Sequence, residues 1–259
     1  MSTKVSAKSR INRLRNIYAH WGPWICFLHF LYKVIRLPRL TIRIRTPDAQ
    51  YPLLCRLGTS DLATLDQIFG EREFSCFDDL KELDLIIDCG ANVGYASAYF
   101  LSHFPTARVV AVEPDLENLE MLKKNLSPYT GRFSIVRAGI WSKNVGLRVA
   151  RVARVKGVMA SWAITVREVE PGESADIQAV TIMELLRQGN AARIALLKID
   201  IEGAETAVFS VDCEPWLSLV DNMSIELHGN ECRTIFFKAI ARQNFEISKA
   251  GELTICRRE

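Results

Sequence analysis

The feature that most constrains this chain is one glycine-bearing turn that ends an apolar run and opens a pattern of a different period. Leu85-Ile86-Ile87-Asp88 is short, apolar and rich in β-branched side chains, as a buried strand requires. Cys89-Gly90-Ala91-Asn92-Val93-Gly94 follows as the turn, and a helical pattern then runs to about residue 103. A strand that passes through a helix into another apolar run, at residues 108–113, calls for a parallel partner in one sheet. The alternation continues with a helix at 116–126, a strand at 134–140, an antiparallel excursion at 147–155 and a loop or flap at 156–178. A short helix at 181–186, a strand at 194–201, a helix after Gly203, a strand at 222–227 and a helix at 233–244 come next. A closing antiparallel hairpin is expected from 245–248 and 253–256. The fold class is α/β: a mainly parallel sheet with helices on both faces, a C-terminal antiparallel hairpin and an N-terminal helical extension. Ligands of such sheets sit beyond the C-terminal ends of the strands.

The turn has the makings of a nucleoside site. Gly90 permits a tight bend and close approach of backbone to a ligand, and Gly94 lets the following helix pack close to the sheet. Free amides at a helix start suit a carboxylate or a phosphate. Glu113 ends the second strand, 25 residues past Asp88, where an acid accepts both ribose hydroxyls. A nicotinamide-dependent oxidoreductase is the competing reading, but its G-x-G-x-x-G fingerprint is missing, because Asn92 stands where the middle glycine belongs. A pyrophosphate needs that bare backbone and the smaller aminoacyl tail of S-adenosylmethionine does not. Asp88 suits an ammonium group and would repel a pyrophosphate. Cofactor-binding residues are therefore expected at Asp88, Gly90, Asn92, Gly94 and Glu113, with Gly139 and Ile140 beside an adenine after the third strand.

Four segments carry a family resemblance: Arg56-Leu57-Gly58-Thr59-Ser60-Asp61, Ile87-Asp88-Cys89-Gly90-Ala91-Asn92-Val93-Gly94-Tyr95, Val112-Glu113-Pro114-Asp115 and Leu197-Lys198-Ile199-Asp200-Ile201-Glu202-Gly203-Ala204-Glu205. In these the chain resembles the FkbM family of S-adenosylmethionine-dependent methyltransferases, class I enzymes of Rossmann-like fold. The resemblance implies O-methylation of a sugar, polyketide or similar small molecule, and closure of the 56–61 segment over the cofactor.

Methyl transfer is an in-line displacement, so the protein must align acceptor with methyl group and take the hydroxyl proton. The strand tips offer Asp200, Glu202 and His228 for that work. Each has a structural alternative: the acids can satisfy the next helix N-terminus, with Lys198 as their ion-pair partner, and the histidine can be a packing residue. Asp200, Glu202 and Glu205 also offer a ligand set for a divalent cation such as magnesium. Ser60 and Asp61 are placed to cap a helix starting at Leu62. Trp141 is a candidate to stack on the base, and the flap residues Met159 and Trp162 to shape the acceptor pocket.

Charge divides the chain into two domains. Residues 1–47 hold ten Lys or Arg and no acid, which leaves 23 bases against 30 acids in residues 48–259. The acidic body disfavours nucleic acid as substrate. The leader carries two helical apolar stripes broken at Gly22-Pro23. They suit packing against the body or a second subunit, or peripheral contact of residues 1–45 with a membrane. A non-catalytic membrane-surface module is thus a further reading. The leader's apolar run is too short to span a bilayer and has no signal-peptide cleavage pattern. Seven scattered cysteines without a C-x-x-C pair point to reduced thiols and a cytoplasmic protein, with membrane association as the variant.

Overall fold

The computed structural model describes residues 7–35, 40–151 and 164–259. Helix α1 (Ala7–Ile35) precedes strands β1 (Thr41–Ile44) and β2 (Leu53–Arg56), which pair antiparallel, and helix α2 (Asp61–Leu65), which continues through a π-helical turn at Asp66–Gly70. Then come β3 (Leu85–Cys89), α3 (Tyr95–His103), β4 (Arg108–Val112), α4 (Leu116–Leu126), β5 (Phe133–Val136), β6 (Gly139–Ile140) and β7 (Gly146–Arg151). The chain proceeds through β8 (Ile164–Glu168), β9 (Ile177–Val180), α5 (Ile182–Gln188), β10 (Leu196–Ile199), α6 (Glu205–Ser210) and α7 (Glu214–Leu217). It closes with β11 (Asn222–Glu226), α8 (Asn230–Ile240), β12 (Phe245–Ala250) and β13 (Leu253–Arg258).

Seven strands form the main sheet in the order β12-β13-β11-β10-β3-β4-β5. β11, β10, β3, β4 and β5 run parallel, and the C-terminal hairpin joins antiparallel through β13, as expected. The side-chain period of two divides the core. Ile86 and Val109 face one apolar cluster with Tyr99, Phe100 and Leu122, while Leu85, Ile87 and Val110 face the other with Leu185, Val208 and Phe236. Both faces are therefore covered, and β3 and β10 are buried along their whole length. The chain leaves β3 toward β4 and β5 on one side and later adds β10 and β11 on the other. That reversal opens a crevice between the tips of β3 and β10.

Local signals set the helix starts. Asp115 caps α4 by accepting from the amides of Glu117 and Asn118. Thr181 and Glu184 form a reciprocal capping box on α5, a device worth about 1 kcal/mol. Asp61 does not serve as a cap. Its carboxylate grips Arg56 at 2.8 and 2.9 Å, because a buried guanidinium demands a bidentate partner.

Three expectations change. The single strand over 134–140 breaks at Arg137-Ala138 into β5, in the main sheet, and β6, in a four-stranded side sheet of order β6-β9-β7-β8. The loop over 156–178 contains β8 and the start of β9, held by Val166 and Ile177 packing with Leu147. Residues 152–163, with Met159 and Trp162, lie outside the described residues. Finally, β1 pairs with β2 across the boundary expected at residue 48. The leader's helix is broken at Gly22, as expected, because a φ of 79° cannot continue an α-helix and Pro23 follows.

Candidate active site

The glycine turn is stitched to the strands on both sides. The amides of Gly90 and Ala91 donate to the Val112 carbonyl at 3.1 and 2.9 Å, and that of Asp200 donates to the Cys89 carbonyl at 3.0 Å. Gly90 has φ 84°, and a Cβ there would lie 1.9 Å from the Asp200 carbonyl oxygen, so only glycine fits between the β3 and β10 tips. Gly94 starts α3 with φ 87°, and its missing Cβ makes room for Leu122 of α4. It thus packs helix on helix, away from the cleft wall, and corrects the expected helix-to-sheet contact.

A cleft opens over these tips. One wall is apolar, from Val112, Pro114, Ala138, Ile140 and Val166, with Gly139 beside them. Gly90, Asn92 and Glu113 form the floor, and Ser60, Ala63, Thr64 and Gln67 close the side formed by α2 and the turn after it. Glu113 is 4% exposed. Its Oε2 accepts from the Asn92 amide at 2.8 Å and its Oε1 from the Asp115 amide at 3.0 Å. Burial outweighs those bonds and pushes its carboxyl up to about 7. Trp141 turns away from this wall, donating its indole N–H to Glu168 at 2.7 Å within the side sheet.

Asp88 is not on the cleft wall. It is fully buried beneath the turn, where Ser97 donates to it at 2.6 Å and the Lys198 ammonium lies 3.2 Å away. Lys198 also donates to the Gly90 carbonyl at 2.7 Å. Burial disfavours its charge, but Asp88 and Asp200 prevail and hold the ammonium protonated. Asp88 therefore sits beneath the turn, paired with Lys198, and is not part of the cleft lining.

The far end of the cleft is acidic. Asp200, Glu202, Glu226 and Glu252 line it, and with Glu113 the cleft's described lining holds five carboxylates and no Lys, Arg or His. Glu202 follows the β10 tip with φ 52°, in the left-handed region that few non-glycine residues adopt. Burial first, and then the charge of Asp200, push Glu202 and Glu226 up to about 7. His228 stands behind this group. Its Nδ1 bonds Glu205 at 2.9 Å, which turns Nε2 toward Glu226, Glu202 and Asp200 at 3.5, 3.7 and 3.9 Å. Burial opposes its charge, but the Glu205 bond and the surrounding carboxylates raise it to about 9. At neutral pH the imidazole is therefore a cation and not a free base. Glu205 is wholly buried, and its oxygens accept from the amides of Ile201 and Gly203 as well as His228. It is consumed as a support, so the expected Asp200, Glu202 and Glu205 ligand set does not assemble. The donor atoms that do converge, within 4.8 Å of one another, belong to Asp200, Glu226 and His228, a set that would hold a divalent ion only with the imidazole deprotonated.

These shifts set a pH dependence for the ligand-free protein. Glu113, Glu202 and Glu226 keep protons between pH 4.5 and about 7 that the unfolded chain has released, so stability falls as pH rises through that window. The raised pKa of His228 stabilises fully below 6.5, and that contribution is lost as pH rises through about 9. Melting temperature is thus expected to decline steadily from pH 4.5 to about 9, and Glu226→Gln to flatten the lower half of the slope. A rise across that window would contradict the assignment.

Of the residues singled out in the sequence, Gly90, Asn92, Glu113, Gly139, Ile140, Asp200 and Glu202 line the cleft. His228 stands behind the acids, and Asp88 and Gly94 support the turn. Glu226, Glu252 and Gln67 line it without having been expected. Glu226 sits one strand position before Leu227-His228, a signal that was available. Glu252 sits in the β12–β13 turn, and only the antiparallel return of the chain brings it there.

A family model described as the methyltransferase FkbM domain matches residues 88–245. Among curated proteins, methyltransferase sdnD of Sordaria araneosa is 27% identical over 181 residues, 58% of this chain and 70% of that protein. Methyltransferase 1 of Beauveria bassiana is 22% identical over 171 residues, 59% and 68% of the respective chains. Among solved structures, the O-methyltransferase TomG of Streptomyces achromogenes superposes with a TM-score of 0.43 at 10% identity, covering 73% of this chain and 78% of that one.

Proposed function

The chain belongs to the FkbM methyltransferase family, and from that premise we propose that it moves the methyl group of S-adenosyl-L-methionine to a hydroxyl oxygen of a small molecule or sugar. Membership sets aside the nicotinamide oxidoreductase and the non-catalytic module. The observation that carries the finer reading is the gradient along one cleft, from an apolar wall through the buried Glu113 to a carboxylate cluster at the β10 and β11 tips.

The residues present suit the cofactor. The apolar wall of Val112, Pro114, Ala138 and Ile140 accepts an adenine, and Glu113 accepts the ribose hydroxyls. The bare turn at Gly90, which a Cβ would fill, admits the aminoacyl tail beside Asn92. When bound, the cofactor supplies an electrophilic methyl on a sulfonium whose S–C bonding pair stays with sulfur as the methyl leaves. Glu202 takes the acceptor's hydroxyl proton as the new O–C bond forms. A carboxyl near 7 is matched to that task at neutral pH. Asp200 and Glu226 orient the hydroxyl, and the His228 cation tempers their mutual repulsion. In this reading residues 41–259 are the catalytic body and the leader is an appendage.

The test is transfer of labelled methyl from S-adenosylmethionine to a panel of sugar and polyketide alcohols, matched amines and RNA. Label on an alcohol oxygen supports the reading. Label confined to amines or RNA overturns it.

A further inference from the structure

Aromatic side chains rarely stand in a row in water without a partner. In α1, Ile17, Trp21 and Ile25 pack on the main core, while Trp21 Nε1 and His20 Nδ1 both bond Asp66, at 2.8 and 2.7 Å. That fixes one side of the helix to the body. Past the Gly22 kink, Trp24, Phe27, Phe30 and Val34 are 70%, 54%, 64% and 61% exposed. Their spacing of three, three and four residues keeps them within an arc of roughly 120° on one face at 100° per residue. The Trp24 and Phe27 rings at its start stack with centroids 6.0 Å apart.

We propose that this face of α1 lies on an anionic lipid surface, its aromatic stripe in the headgroup–acyl boundary and the leader's net positive charge drawing it there. Charge names the occupant. The leader carries ten bases and no acid, while the remainder has a net of 23 − 30 = −7. Two leaders facing each other would repel, so stripe-to-stripe pairing of copies is disfavoured, whereas an anionic bilayer attracts the leader's net positive charge. An aromatic stripe beside basic charge is the composition of helices that lie in the interface plane. No helix among the described residues is long and apolar enough to cross a membrane, which fits a surface contact. The contact is also close to the chemistry: Asp66, which anchors α1, adjoins Gln67 on the cleft wall. This inference stands independently of the acceptor assignment.

The test is flotation of the full chain with phosphatidylcholine vesicles and with vesicles holding about 30% phosphatidylserine. The fraction bound to the anionic vesicles is expected to be at least about tenfold higher and to fall with salt. The triple variant Trp24→Ser, Phe27→Ser, Phe30→Ser is expected to lose at least about tenfold in binding. All three side chains are exposed, so its melting curve and cofactor affinity should match the parent. Three outcomes overturn the proposal. The full chain fails to float with either vesicle, the triple variant floats as well as the parent, or the full chain is a dimer in solution that the triple variant converts to a monomer.

Discussion

Replacing Glu113 by alanine is expected to weaken S-adenosylmethionine binding at least about a hundredfold. Hydrogen bonds to a charged group are worth roughly 1.5–3 kcal/mol each, and each 1.4 kcal/mol is tenfold in affinity. Glu113 lines the cleft, and its two oxygens also receive the Asn92 and Asp115 amides. The alanine variant loses the ribose acceptors and strands two amides at the turn that shapes the site. Glu113→Gln separates these effects. It keeps the shape and one acceptor oxygen, but sets an amide N–H₂ against a backbone N–H, so an intermediate loss of about tenfold is expected. Calorimetry on the three proteins checks the order. Equal affinity in all three would remove Glu113 from the ribose site.

The second large effect is on turnover. Glu202→Gln is expected to lower kcat by about 10²–10⁴, the usual contribution of a positioned proton acceptor, with cofactor affinity held within about threefold. The pH profile carries the assignment. With Glu202 raised to about 7, the parent's rate climbs with pH through that value as the carboxylate ionises, and the glutamine variant loses the limb. Glu226→Gln, which changes an orienting carboxylate, keeps the limb at a lower rate. Loss of the limb in Glu226→Gln, with retention in Glu202→Gln, would transfer the base role one strand across.

What was legible in the sequence was local. The run from Leu85 to Gly94 announces a strand, a turn and a helix within ten residues. Glu113 announces itself as the acid at the end of the next strand, because backbone period and turn chemistry act over short distances. The side on which a residue projects was less legible. Asp88 has the composition of a ligand-facing acid, yet the pleat sends it under the turn to Lys198, over a hundred positions away in the chain. His228 could be placed at a strand tip from the sequence. Its charge state could not, because Glu205, Asp200 and Glu202 converge on it only once β10 and β11 pair. The single strand expected over 134–140 failed at Arg137-Ala138 because neither residue is a strong breaker. The split comes from β6 finding a parallel partner in β9.

On the proposed reading, the cleft over the β3 and β10 tips binds S-adenosylmethionine through Glu113 and the Gly90 turn. Calorimetric titration of the full chain with S-adenosylmethionine, and separately with NADH, tests it most directly. One site of micromolar affinity for S-adenosylmethionine is expected, lost in Glu113→Ala, with no heat from NADH. Binding of NADH with none of S-adenosylmethionine would contradict it.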